Sequence, residues 1–249
     1  MTVPPVVLVH GLMGAFGDRA TVASIAPGAR APAMLGYGEH RDVDPATLTI
    51  ARQAAHIAAV LDGLGERAVL LGHSVGGVVA AHVAHAHPER VACLVSVEGN
   101  FTLNDAFASR RFAAMDDEEL ATHFARARRE PAAWLRSMGL DPRHPAPETA
   151  AALLDHQPPA VVRAMSRAVL DATSDDAYDA LLRTVFAQTP VRLVAGARSR
   201  AGWDVPAWAL ARAPLVVVPR CGHMVNLDAP EAIAAVVRDA VPDAGPACP

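Results

Sequence analysis

The chain has 249 residues, 52% of them hydrophobic, enough to bury a sizeable core in one domain or in a core domain carrying one insertion. A net charge of −4 excludes a basic nucleic-acid surface, and no apolar stretch approaches the roughly 20 residues that a membrane span needs. Three cysteines (Cys93, Cys221 and Cys248) have no framework spacing, and the N-terminus lacks a basic region followed by an apolar one, so a soluble, cytoplasmic protein without membrane or nucleic-acid partners is expected.

Taken in chain order, the first predicted element is an apolar strand, Val6–His10, running into the turn Gly11-Leu12-Met13-Gly14. A weaker strand is predicted at Ala29–Met34, before the turn Gly36-Tyr37-Gly38, and a helix over Pro45–Leu64. A strand at Ala68–Leu71 leads to a helix over Gly76–His87, then a strand at Val91–Val97 ending in Glu98. Residues 101–190 break this rhythm: prolines and amphipathic segments without a convincing strand predict a helical insertion. Strands return at Val191–Ala195 and Leu215–Val218, with a helix between them at Trp203–Ala211. The last helix, Pro230–Ala240, begins at Asp228-Ala229-Pro230-Glu231, where Asp228 is the expected cap and Glu231 stands at the capping-box position. The tail Val241–Pro249 is expected to fray. The strands are continuous apolar runs, as parallel strands covered on both faces should be. The alternation of strand and helix predicts an α/β fold of about six mainly parallel strands, with residues 1–100 and 191–249 as core and 101–190 as a cap.

Between the second strong strand and its helix lies Gly72-His73-Ser74-Val75-Gly76, a G-x-S-x-G strand–turn–helix pattern. It sets Ser74 on a tight turn whose flanking positions must lack bulk, with the helix dipole aimed at the site. A serine needs a base to become a nucleophile. Of the eleven histidines, His223 is the candidate, because it lies late in the chain on a loop between the last strand and the last helix. His73 and His10 support lesser roles, packing for the first and organising the Gly11 turn for the second. His82, His85 and His87 lie on the helix after Ser74 without complementary ligands, and no metal or organic cofactor is expected. Cys221, two residues before His223, is one nearby thiol and not a second nucleophile.

The Gly11 turn, the Gly72–Gly77 segment and Gly222-His223, in that order, resemble the α/β-hydrolase superfamily over nearly the whole chain. The resemblance implies an oxyanion hole of backbone amides from Val75 and from Leu12, with Met13 as the alternate for the second. It also implies an acid a few residues after the strand Val191–Ala195, but the sequence there, Gly196-Ala197-Arg198-Ser199-Arg200, has none. Two carboxylates remain. Glu98 closes an apolar strand at the catalytic edge of the sheet, where a charge without a partner is costly to bury, and is preferred; Asp204 is the second choice.

A serine hydrolase of a carboxylic ester or related acyl bond is expected, acting on a small, fairly apolar substrate through Ser74, His223 and Glu98. Thioesterase, lactonase, C–C bond hydrolase and cofactor-free perhydrolase remain open on the same residues, as does a hydrolase-fold receptor of slow turnover. Phe101, Phe107, Phe112, Trp134, Leu135 and Met138 are candidates to line the pocket or to form the cap's own core. The oligomeric state is left open.

Overall fold

Strand formation follows the apolar runs. In the computed structural model, which describes residues 4–144 and 147–240, five strands form one sheet: β1 (Val6–Val9), β2 (Ala68–His73), β3 (Val91–Val97), β4 (Val191–Gly196) and β5 (Leu215–Val218). They lie side by side in sequence order and every pairing is parallel. Successive side chains point to opposite faces, so one run supplies two cores. Val7, Val9, Leu70 and Leu94 join one buried cluster, while Val6, Leu8, Val69, Cys93 and Val95 join the other. This double burial is why β1, β2 and β3 carry no regular polar alternation, whereas β5, at the sheet edge, departs from the expected cover and leaves Val216 and Val217 exposed.

The expected sixth strand shrinks to one bridge. Arg30 pairs with β1 by donating to Val6 O at 2.9 Å and accepting from Leu8 N at 2.8 Å. Pro27 and Pro32 flank it, and proline has no N–H to extend a ladder.

The helices are α1 (Arg19–Ile25), α2 (Ile50–Asp62), α3 (Val75–Ala86), α4 (Phe107–Ala114), α5 (Asp117–Arg129), α6 (Pro131–Ser137), α7 (Pro147–His156), α8 (Pro159–Ala172), α9 (Asp176–Gln188), α10 (Ala207–Leu210), α11 (Val225–Asp228) and α12 (Pro230–Asp239). None is long and apolar enough to cross a membrane. Helices α1 and α12 pack together on one face of the sheet, and α2 and α3 on the other. From α4 to α9 the chain makes a helical excursion with no strand among the described residues. Its last helix, α9, rests on α3, and the Tyr178 hydroxyl donates to Asn100 O at 2.8 Å.

Two helix starts and one cap differ from the expectation. Helix α2 begins at Ile50, capped by Thr49, because Pro45–Thr47 forms a separate 3-10 turn capped by Asp44. The helix expected from Trp203 is confined to Ala207–Leu210 behind Pro206. Asp228 does not cap α12; it ends α11, and both its carboxylate oxygens accept from Asp141 N at 3.0 Å. A contact from 87 residues away displaces the local one. The tail Val241–Pro249 lies outside the described residues.

Candidate active site

Ser74 sits where β2 hands over to α3, with φ 55° and ψ −127°, a backbone shape that a residue with a side chain rarely adopts. Such strain costs about 1–3 kcal/mol and persists only where surrounding bonds enforce it. Ser74 N donates to Val97 O at 3.0 Å, and Ser74 O accepts from Gly77 N at 2.7 Å. The glycines explain themselves: a Cβ on Gly72 would strike the Gly76 carbonyl, and one on Gly76 would strike the carbonyls of Val9 and His10. The Ser74 hydroxyl does not cap α3 and faces a cavity of about 500 Å3.

His223 borders the same cavity from the loop between β5 and α11. Its Nδ1 lies 2.7 Å from Glu98 Oε2. Glu98 is buried and also has a positive φ of 46°. The carboxylate is well supplied with donors, since Oε1 accepts from Gly196 N at 2.8 Å and from the Ser199 hydroxyl. Burial pushes this carboxyl up, but the bonds from His223, Ser199 and Gly196 outweigh it and hold it below the usual carboxylate range. It is therefore ionised at neutral pH and obliges His223 to carry its proton on Nδ1, leaving Nε2 as the basic nitrogen.

Asp204 is elsewhere. Its carboxylate accepts from the Thr102 hydroxyl and the Asn104 amide, both at 2.8 Å, and it makes no contact with His223. Those two bonds, rather than a helix cap, hold its carboxyl below the usual range.

Leu12 and Val75 both border the cavity. Val75 is the first residue of α3, so its N–H has no intrahelical acceptor, and the positive end of the helix dipole lies there. Met13 lines the cavity as well. His10 braces the turn from behind: Nδ1–H donates to Gly11 O at 2.8 Å, and Nε2 accepts from Met34 N at 3.0 Å. Its burial lowers its pKa to about 4, so it stays neutral, as a brace should.

Several features have no local signature. His73 donates Nε2–H to His223 O at 2.9 Å across 150 residues, and its ring packs 4.8 Å from that of His223. Burial, reinforced by the nearby His223, lowers its pKa to about 3. Ser199 reaches Glu98 from the loop that holds no acid. Arg198 donates to Arg220 O at 2.9 Å and to Gly139 O at 3.0 Å, so the α6–α7 connection is pinned against Gly222-His223. Gly139, at φ 102°, lies so close that a Cβ would come within 3.0 Å of His223 Cβ. Cys221 is buried, which pushes its thiol up to about 11 and keeps it protonated.

Of the six apolar candidates, Phe107, Phe112 and Met138 line the cavity together with Trp203. Phe101 and Leu135 are core residues, Phe101 packing against Phe186 and Trp203. Trp134 borders a neighbouring chamber instead.

The chain resembles several known proteins. It is 36% identical over 107 residues to lipase LipV of Mycobacterium tuberculosis, a stretch covering 42% of this chain and 40% of that lipase. Its fold superposes on Cfl2 of Burkholderia cenocepacia with a TM-score of 0.70 at 19% identity, covering 95% of this chain and 87% of that one. A loop variant of haloalkane dehalogenase DbeA from Bradyrhizobium elkanii gives 0.67 at 20% identity, over 96% and 89%. At such identities these structures speak for the fold alone. The model of the alpha/beta hydrolase family matches residues 6–236, nearly the whole described chain, and the protein belongs to that family.

Proposed function

We propose that the protein is a serine hydrolase of a carboxylic ester or related acyl bond, working through an acyl-enzyme. The observation that carries this reading is the 2.7 Å contact between His223 Nδ1 and buried Glu98, beside a strained Ser74 in one cavity. His223 Nε2 takes the Ser74 proton as the hydroxyl oxygen attacks the carbonyl carbon. Glu98 stabilises the imidazolium that results. The amides of Val75 and Leu12 receive the oxyanion, with Met13 as alternate for the second, and His223 then returns its proton to the leaving group. Water, deprotonated by the same nitrogen, attacks the acyl-enzyme and restores Ser74.

The lining by Phe107, Phe112, Met138 and Trp203 suits a small substrate with an apolar acyl part, beneath the helices of residues 101–190 acting as a cap. The partial likeness to a lipase agrees with an ester, and the similarly partial likeness to carbamate hydrolases keeps related acyl bonds beside it. Haloalkane dehalogenase chemistry uses an aspartate nucleophile, and here that position is Ser74.

The test is a chain-length series of p-nitrophenyl esters followed by labelling with a fluorophosphonate. Turnover with a single phosphonyl adduct on Ser74, and an activity loss of about 10⁴-fold or more in Ser74→Ala, is the expected outcome. Turnover that survives Ser74→Ala contradicts the reading.

A further inference from the structure

Beside the active-site cavity the cap holds a second chamber of about 240 Å3. Arg111 and Ser137 line both spaces, so the two adjoin. Its lining combines buried Trp134 and half-buried His123 with exposed Arg111, Arg126 and Glu130.

The polar groups here are almost all donors. Trp134 is only 6% exposed, and its indole N–H finds no acceptor among the described residues. Arg111 Nη2 donates to His123 Nδ1 at 3.5 Å. A guanidinium can only donate, so Nδ1 accepts and the ring proton sits on Nε2. That Nε2–H is also buried without a partner. Arg111 and Arg126 form no ion pair with a carboxylate among the described residues. Buried donors left unpaired are costly, and the exposed guanidinium groups of Arg111 and Arg126 beside them favour an anion over a neutral acceptor.

The charge sets the kind of anion. Glu130 is the one acid on the chamber wall, and the acids of the neighbouring groove, Asp116 and Glu119, are engaged with each other's backbone N–H groups at the start of α5. Glu118 also borders that groove, without an ion pair to either arginine. Burial lowers the His123 pKa, and Arg111 and Arg126 lower it further, so the ring is neutral. Arg111, Arg126 and His123 also border the groove of Asp116, Glu118 and Glu119, so the site suits no more than a monoanion, and the planar fork of arginine matches a carboxylate.

We propose that this chamber is a carboxylate subsite: the substrate places its acyl bond at Ser74 and, at the far end of a short apolar chain, a carboxylate among Arg111, Arg126, Trp134 and His123. The proposal rests on the serine-hydrolase reading for the bond that is cleaved, but not for the binding itself.

Two measurements separate the claims. The first compares p-nitrophenyl half-esters of glutarate, adipate and suberate with the neutral p-nitrophenyl esters of matching length. Wild type should favour an acidic ester, and Arg111→Gln and Arg126→Gln should each lower the acidic-to-neutral ratio of kcat/KM by about tenfold, with Arg111→Lys recovering part of it. The second titrates monomethyl glutarate and monomethyl adipate into Ser74→Ala by NMR. Binding should raise the His123 pKa and shift the Trp134 indole N–H resonance, and Arg111→Gln should abolish both effects. A ratio unmoved by either arginine, with a silent His123 and Trp134, overturns the subsite. An NMR response without turnover of any ester leaves the subsite standing and sinks the esterase reading.

Discussion

Ser74 and Glu98 share an unusual property: both are non-glycine residues with positive φ, they follow the ends of adjacent strands, and they line one cavity with His223. Strain at two neighbouring strand ends is retained only where something over-determines it, here the bonds that Ser74 N donates to Val97 O and Glu98 N donates to Val194 O. The histidine between them is held twice, by Glu98 on its ring and by His73 on its carbonyl. That second hold makes a prediction about His73. Replacing it with phenylalanine keeps a ring but removes the N–H, so the His223 loop loses its anchor. His73→Phe should lower kcat by about ten- to a hundredfold, since small misplacements of a catalytic group are amplified, while KM changes far less. A KM effect as large as the kcat effect would mean that His73 shapes the pocket instead.

At the scale of elements, the connection from α6 to α7 is stapled to the core beside His223. Asp228 accepts from Asp141 N, Arg198 lies 3.8 Å from the same carboxylate, and Arg198 also holds Gly139 O. Asp228→Ala should remove about 1–3 kcal/mol of stability by leaving the Asp141 N–H unpaired, and should lower kcat as Gly139 drifts from His223. Thermal unfolding with a parallel ester assay checks both. This staple also marks what the sequence could and could not disclose. The Gly72–Gly76 turn was legible because its requirements are local, glycines and a serine within five residues between a strand and a helix. Glu98 was legible because an acid that closes an apolar strand demands a partner. Asp228 reads as a cap for α12 by every local rule, yet its partner lies in the helical excursion. Arg198, Ser199 and the His73 bond likewise act across 59 to 150 residues, where no spacing announces them. The sixth strand failed for a local reason that was available, the prolines around Arg30.

For the whole molecule, two buried histidines set an acid limit. His10 and His73 are neutral in the fold, with pKa lowered from 6.5 to about 4 and about 3, chiefly by burial. Below pH 6.5 the unfolded chain binds these protons and the folded one does not, so stability falls as pH drops. Each histidine contributes about 1.4 kcal/mol per pH unit, continuing until its folded pKa is reached. Glu98 acts in the same direction at lower pH, because its depressed carboxyl loses its bonds as it protonates. Urea midpoints between pH 7 and 4 should therefore decline steeply, with a net uptake of protons on unfolding to which the lowered His56, His82 and His123 also contribute. A flat profile would show that neither imidazole is as buried as described.

Whether Glu98 or Asp204 orients His223 is decided by one comparison. Wild type, Glu98→Gln and Asp204→Asn are assayed on the preferred p-nitrophenyl ester at pH 7. Glu98→Gln keeps the shape but cannot hold the imidazolium, and should lose about 10³–10⁴-fold in kcat, while Asp204→Asn stays within a few-fold of wild type. Collapse of Asp204→Asn with Glu98→Gln nearly unaffected would contradict the account.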